Sequence, residues 1–345
     1  MPFPIRIGPN RRASGQAARM PAFTPEPARI VVCLDGSDLC ERALPHAWAL
    51  AQACGLPLTL LMVLERDRVA DAPCDPFEWE LRRHEARRYL TNLGERGRSE
   101  DLEVDVQVIE GEAAAEICAW DRQHDVGFTA LTTHGSSGAS PWSLAGTARK
   151  LVEGAPGSVL LVPSATRASG PVAKYPRIVV PLDGSPRAEA TLSVAAHVAR
   201  AQASELVLVH VVPVPELTEI GPLDAKDVEL RDRLTRRNER VASTYLDRVR
   251  GRLAGSHLKI RTRVLRAADP RDRLVEFLVD EGADLVILSA HGRGERVDSP
   301  VGSFAAHLIQ FSRTPLLILR DRAGLPARGP WTAQGAVRLP SHAAP

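Results

Sequence analysis

The constraint that most limits how this chain can fold is an octapeptide that occurs twice. IVVCLDGS spans residues 30–37 and IVVPLDGS spans residues 178–185, with seven of eight letters shared, 148 positions apart. The sequence after each copy follows one order. An Ala-rich helical stretch comes first, then an apolar β run (LTLLMVL and ELVLVHVV). A long charged helical stretch follows, over residues 78–97 in the first copy and 224–254 in the second. A β run (LEVDVQVIEG, LKIRTRVLRA), a short helix and a second β run ending in THG or AHG come next. A further helix leads to a last apolar strand, GSVLLVP or TPLLILR. Ser185 before Pro186 reads as a helix N-cap with proline at the first helical position, and Ser37 before Asp38 as the same start in the first copy. The chain is a duplicated β-α-β-α-β-α-β-α-β unit.

Short apolar strands alternating with helices predict a parallel sheet covered on both faces. The fold class is α/β: two tandem Rossmann-like domains, each a five-stranded parallel sheet with helices on both faces. The expected boundaries are 28–163 and 176–321, with a small-residue linker at 164–175 and disordered tails at 1–27 and 322–345. At 345 residues the chain is longer than one core usually supports. The Arg-containing N-terminus has no apolar core region and does not read as a secretory signal.

Composition narrows the functional classes. Forty-four basic against 42 acidic residues give a net charge of +2, no footprint for a polyelectrolyte partner. The basic stretches LRRHEARR and LRDRLTRRNER read as solvated helix faces with i,i+4 pairs rather than nucleic-acid contacts. No run of 18 apolar residues predicts a membrane span. Five cysteines, all in the first half and without a CxxC pair, suit a reducing cytoplasm and neither a disulfide framework nor a zinc site.

Doubly wound sheets bind ligands beyond the carboxyl ends of their strands, where strand order reverses. That directs attention to the LDGS turns and to the loops after the fourth strands. In copy one the loop holds Gly135 and Gly138 and reaches Gly146-Thr147; in copy two it holds Gly292, Arg293 and Glu295 and reaches Gly302-Ser303. Glycines let backbone N–H groups approach a phosphate, and a helix start adds free N–H groups at its positive end. The same pattern also describes an empty strand-to-helix turn. Neither loop is a Walker A motif, and LDGS is no nicotinamide fingerprint. His134 and His291 read as hydrogen-bonded loop residues, His46, His197 and His210 as core or interface residues, and Cys33 as a buried thiol.

The Asp of both LDGS turns, the THG and AHG loops, and the downstream Gly-Thr and Gly-Ser pairs, twice in matching order, resemble the universal stress protein family. The resemblance is to a tandem member and covers all but the tails and linker. It implies a nucleotide-binding role, with ATP and Mg²⁺ as cofactors and a stress-associated regulatory function. Asp35 and Asp183 would stand at the adenosine end, and Val63 and Val211 would meet adenine through backbone groups. Gly135, Gly138, Gly146 and Thr147 would hold phosphates in copy one, and Gly292, Gly302 and Ser303 in copy two, with Arg293 as an added phosphate contact. The family also implies pairing of the two domains through their last strands, a pseudo-dimer that a further homodimer would extend. The loops depart from the family spacing, and Glu295 replaces the second glycine of copy two. Two acids there, Glu295 and Asp298, favour copy one as the tighter site. With no catalytic lysine or base in the loops, ATP hydrolysis is expected to be slow at most. The competing reading is a nucleotide-free interaction scaffold.

Overall fold

The apolar runs become strands because each alternates its side chains between two covered faces. In β1 (Arg29–Leu34), Ile30 and Val32 enter one buried cluster and Val31 the opposite one, and all three are fully buried. The computed structural model describes residues 29–65, 75–135, 146–166, 168–216, 224–253, 257–292 and 300–320. The tails expected at either end lie outside the described residues.

The first domain runs β1, α1 (Leu44–Cys54), β2 (Leu58–Leu64), α2 (Pro76–Arg98), β3 (Val104–Glu110), α3 (Ala113–Gln123), β4 (Val126–Thr132), α4 (Gly146–Gly154), β5 (Ser158–Val162). The second repeats it as β6 (Arg177–Pro181), α5 (Pro186–Ala201), β7 (Glu205–Pro213), α6 (Ala225–Leu253), β8 (Lys259–Ala267), α7 (Pro270–Glu281), β9 (Leu285–Ser289), α8 (Ser303–Phe311), β10 (Leu316–Leu319). The α/β fold of two tandem Rossmann-like units is thus observed. Within each unit the strands are parallel. Helices α1, α2, α5 and α6 cover one face of the sheet, and α3, α4, α7 and α8 the other.

Helix starts follow their caps. Ser185 accepts from the Ala188 amide and Pro186 opens α5, as the sequence predicts. The first copy differs. Ser37 Oγ accepts from Cys40 N at 3.2 Å, but a 3-10 turn, Cys40–Ala43, precedes α1. Pro45, near the start of α1, has no amide to continue an α-helix from that turn, so the α-helical register begins there.

Both domains share one ten-stranded sheet of order β3-β2-β1-β4-β5-β10-β9-β6-β7-β8. The seam is antiparallel: Leu161 faces Leu316, Leu160 faces Leu317 and Val159 faces Ile318. Around it α1 packs on α5. His197 Nε2 donates to Ala53 O at 2.8 Å, and Arg320 donates to the carbonyls of Val152 and Ala155 at the end of α4. The linker is more than a spacer. Ala173 and Tyr175 are buried, Ala173 N donates to Pro45 O at 2.9 Å, and Tyr175 OH lies 3.0 Å from His46 Nδ1.

Two predictions follow from the seam. Residues 1–163 and 174–345, made separately, each leave an apolar strand unpaired. Each half is expected to self-associate, and the two mixed to form a 1:1 complex in light scattering; two stable monomers indifferent to each other would refute this. The second concerns His46. Burial holds its imidazole down to about 4, from an ordinary 6.5. The folded state therefore prefers the neutral ring. Its contribution is complete above pH ~6.5 and is lost as pH falls toward ~4, about 3 kcal/mol in all. Urea unfolding at pH 7 and pH 4.5 is expected to show a larger loss for the parent than for His46→Gln; equal losses would show that His46 carries no such linkage.

Candidate functional site

Each domain reverses its strand order between its first and fourth strands, β1 beside β4 and β6 beside β9. The LDGS turns leave those first strands. Gly36 and Gly184 adopt φ of +83° and +80°, a conformation costly for any side chain, which is why the turn keeps glycine in both copies. The turn is held by its own aspartate. Asp35 Oδ1 accepts from Ser37 N at 3.0 Å and from Ser37 Oγ at 2.6 Å, and Asp183 Oδ1 accepts from Ser185 N at 2.8 Å.

The second carboxylate oxygen of each Asp turns to the loop after the fourth strand. A methyl built on Gly135 would overlap Asp35 Oδ2 and lie 3.0 Å from Cγ; one built on Gly292 would lie 2.8 Å from Asp183 Oδ2. The two sequence-selected aspartates and the two sequence-selected glycines thus meet, pair by pair, at the carboxyl ends of the sheet. Asp35 is exposed and Asp183 half-buried.

Val63 and Val211 stand beside them. The pairing of β1 with β2 ends at Leu34–Met62, and that of β6 with β7 at Pro181–Val209. Each valine therefore projects past its neighbouring first strand while still paired outward, Val63 with Ile109 and Val211 with Leu265. Gly146 and Thr147 are exposed at the start of α4, and among the described residues nothing lies within 4 Å of a methyl built on Gly146. Gly302 is the N-cap residue of α8 and Ser303, exposed, its first residue. The Gly302 amide is spent on Ala290 O at 2.8 Å. Helix α8 begins without a side-chain cap, unlike α5, capped by Ser185, and α7, capped by Asp269. Gly138, Arg293, Glu295 and Asp298 lie outside the described residues.

Some site residues were not singled out from the sequence. Thr132 Oγ1 donates to His134 O at 2.7 Å, and Ser289 Oγ donates to His291 O at 2.8 Å, so one hydroxyl in each copy fixes the loop carrying the key glycine. The signal was present: a hydroxyl residue two positions before each loop histidine. His134 is itself tied to Thr133 Oγ1 at 3.0 Å and Ser164 Oγ at 3.2 Å, an anchoring role. Burial pushes Cys33 well above the usual thiol range and Cys40 up to about 11, so neither is a thiolate near neutral pH. Among the described residues no group of three His, Cys, Asp or Glu side chains is arranged to hold a metal ion. No helix among them is long and apolar enough to cross a membrane.

Comparison with known proteins agrees with this architecture. A family model described as "Universal stress protein family" matches residues 27–163 and 174–320. A universal stress protein of Methanocaldococcus jannaschii is 23% identical over 157 residues, 43% of this chain and 96% of that protein. The crystal structure of a universal stress protein from Archaeoglobus fulgidus superposes with a TM-score of 0.59 at 17% identity, covering 85% of this chain and 98% of that one. A universal stress protein solved in complex with cAMP is 21% identical over 42% of this chain and 97% of its own, with a TM-score of 0.28.

The Asp–Gly contact makes a prediction of its own. Gly135→Ala forces Asp35 aside and is expected to cost about 1–3 kcal/mol in urea unfolding. Asp35→Ala in the same chain should recover most of that loss, a coupling seen as non-additivity in a double-mutant cycle. Strict additivity would mean that the two residues do not press on each other.

Proposed function

The chain belongs to the universal stress protein family, and we propose that it binds adenine nucleotide, ATP with Mg²⁺, as a stress-associated regulatory protein of the cytoplasm. One observation carries this reading: at each strand-order reversal a carboxylate oxygen is seated against a glycine, where a methyl would push it aside. A ribose hydroxyl has acceptors in Asp35 and Asp183, and adenine has the open backbone side of Val63 and Val211. The starts of α4 and α8, at Gly146-Thr147 and Gly302-Ser303, supply amides and hydroxyls for phosphates. Gly138 and Arg293 complete the proposed phosphate contacts. Slow hydrolysis at most is the expectation, because the nearby basic groups are engaged: His134 by Thr133 and Ser164, and Lys150 by Glu112 at 2.6 Å. A nucleotide-free scaffold is the second reading, favoured by the bonds that Asp35 and Asp183 already accept from Ser37 and Ser185.

Site one is proposed as the tighter. The loop of site two contains Glu295 and Asp298, whereas residues 135–148 hold no acid. A carboxylate ~4 Å from a phosphate costs about 1–4 kcal/mol, depending on solvation. Equilibrium dialysis with labelled ATP on the parent, Gly146→Asp and Gly302→Asp tests both points. Among the described residues nothing crowds Gly146, which makes the first substitution one of charge rather than of bulk. Gly146→Asp is expected to remove most tight binding and Gly302→Asp little. The reverse ranking would overturn the charge argument, and no binding by the parent would favour the scaffold.

A further inference from the structure

The shared sheet ends in two open strands, β3 at one edge and β8 at the other. Equivalent positions follow from the registers. Cys33 and Pro181, matched in the octapeptides, face Leu61 and Val209, which in turn face Gln107 and Arg263. Counting outward from that pair, Glu103 matches Lys259, Asp105 matches Arg261 and Glu110 matches Arg266. The duplication has therefore produced two edges of the same shape and opposite charge. Glu103, just before β3, and Asp105, Gln107 and Glu110 on it are exposed, as are Lys259, Arg263 and Arg266 on β8. Asp105 and Glu110 lie near Arg29 and Arg83, and Arg261 and Arg266 near Glu205, Glu281 and Asp232, so Glu103 on one edge and Lys259 and Arg263 on the other carry most of the contrast. A groove of about 510 Å³ lies between α6 and β8, lined by Arg236, Glu239, Arg240 and Ser243 of the helix and Thr262 and Val264 of the strand.

Charge on an edge strand ordinarily guards it against pairing. Here each edge is guarded against its own kind only. Two β3 strands would set acids against acids, and two β8 strands would set bases against bases; like charges directly opposite are destabilising. A β3 strand against a β8 strand meets no such barrier. The seam fixes the geometry as well: β5 and β10 are antiparallel, so β3 and β8 run in opposite directions. A second copy continuing the sheet in the same sense brings its β3 antiparallel to β8. With Asp105 opposite Arg261, Glu103 falls opposite Arg263 and Gln107 opposite Lys259, all on one face of the sheet.

We propose that a second copy of this chain adds its β3 to the open edge of β8, a head-to-tail contact that repeats from copy to copy. Such a contact is heterologous and propagates into chains or closes into rings, according to the rotation at each step. It is independent of nucleotide binding.

The test is sedimentation velocity on the full chain over a range of concentration. The parent is expected to associate with rising concentration at low salt, and to dissociate as the screening length falls from ~10 Å at 0.1 M to ~3 Å at 1 M. Glu103→Lys sets a base opposite Arg263, and Arg263→Glu sets an acid opposite Glu103. Each alone should weaken association at least tenfold. The two variants mixed, or combined in one chain, should recover it, which a variant that merely unfolds cannot do. Arg200→Glu, an exposed reversal on α5, serves as the control and should change nothing. A parent that stays monomeric at every salt and concentration overturns the proposal. So does association that survives either reversal, or loss that the mixture fails to restore.

Discussion

The antiparallel pairing of β5 with β10 is the contact on which the rest of the molecule depends. Each strand is short, buried along its length, mostly apolar and last in its domain, so neither domain can leave it in water without an exposed apolar edge. Pairing them makes one sheet from two and sets the domains in opposite directions. It also brings α1 against α5 and draws in features with no meaning inside one domain. Tyr175 is buried against His46, His197 bonds the end of α1, and Arg320 caps the carbonyl end of α4. A cation at that end suits the helix dipole. The opposite end of the same helix is the proposed phosphate site, so domain two helps to hold a helix that serves domain one.

Duplication supplied two scaffolds, and divergence acted where packing permitted it. Under the first turn of each copy a glutamate meets an arginine of the long helix: Glu41 with Arg96, and Glu189 with Arg252. The first pair is exposed on its arginine side, at 58%, and the second is largely buried, at 12%, so the same contact is looser in one domain than in the other. The outer edges differ in charge, where each edge strand has a sheet neighbour on one side only. The glycines facing Asp35 and Asp183 did not diverge, because a side chain there collides with a carboxylate.

Much of the candidate site was legible. Reading the two copies against each other picks out Asp35 with Gly135 and Asp183 with Gly292, since both members of each pair recur in order. That the members touch is a tertiary fact, arising from the adjacency of first and fourth strands across a strand-order reversal. The hydroxyls of Thr132 and Ser289 were less legible, because their bond is to a backbone carbonyl and a hydroxyl residue in a strand has many other uses. The delayed start of α1 depended on Pro45 overriding the cap offered by Ser37, a competition that single-residue preferences leave undecided.

What the sequence by itself determined is the periodic part: the order of strands and helices, their duplication, the α/β class, and the glycine-dependent turns. These follow from local rules, two-residue alternation in strands and the lack of a side chain at φ near +80°. What only the tertiary structure decided is what long-range contact creates. The segment between the domains, read as a small-residue linker, makes contacts of its own: Ala173 N donates to Pro45 O and Tyr175 meets His46. The pairing of the domains through their last strands was expected from family resemblance, but the register, the role of Arg320 and the opposite charge of the two outer edges became visible only with the strands in place. Charge along a strand has no consequence until its neighbours are known, and the sheet order leaves β3 and β8 with one neighbour each.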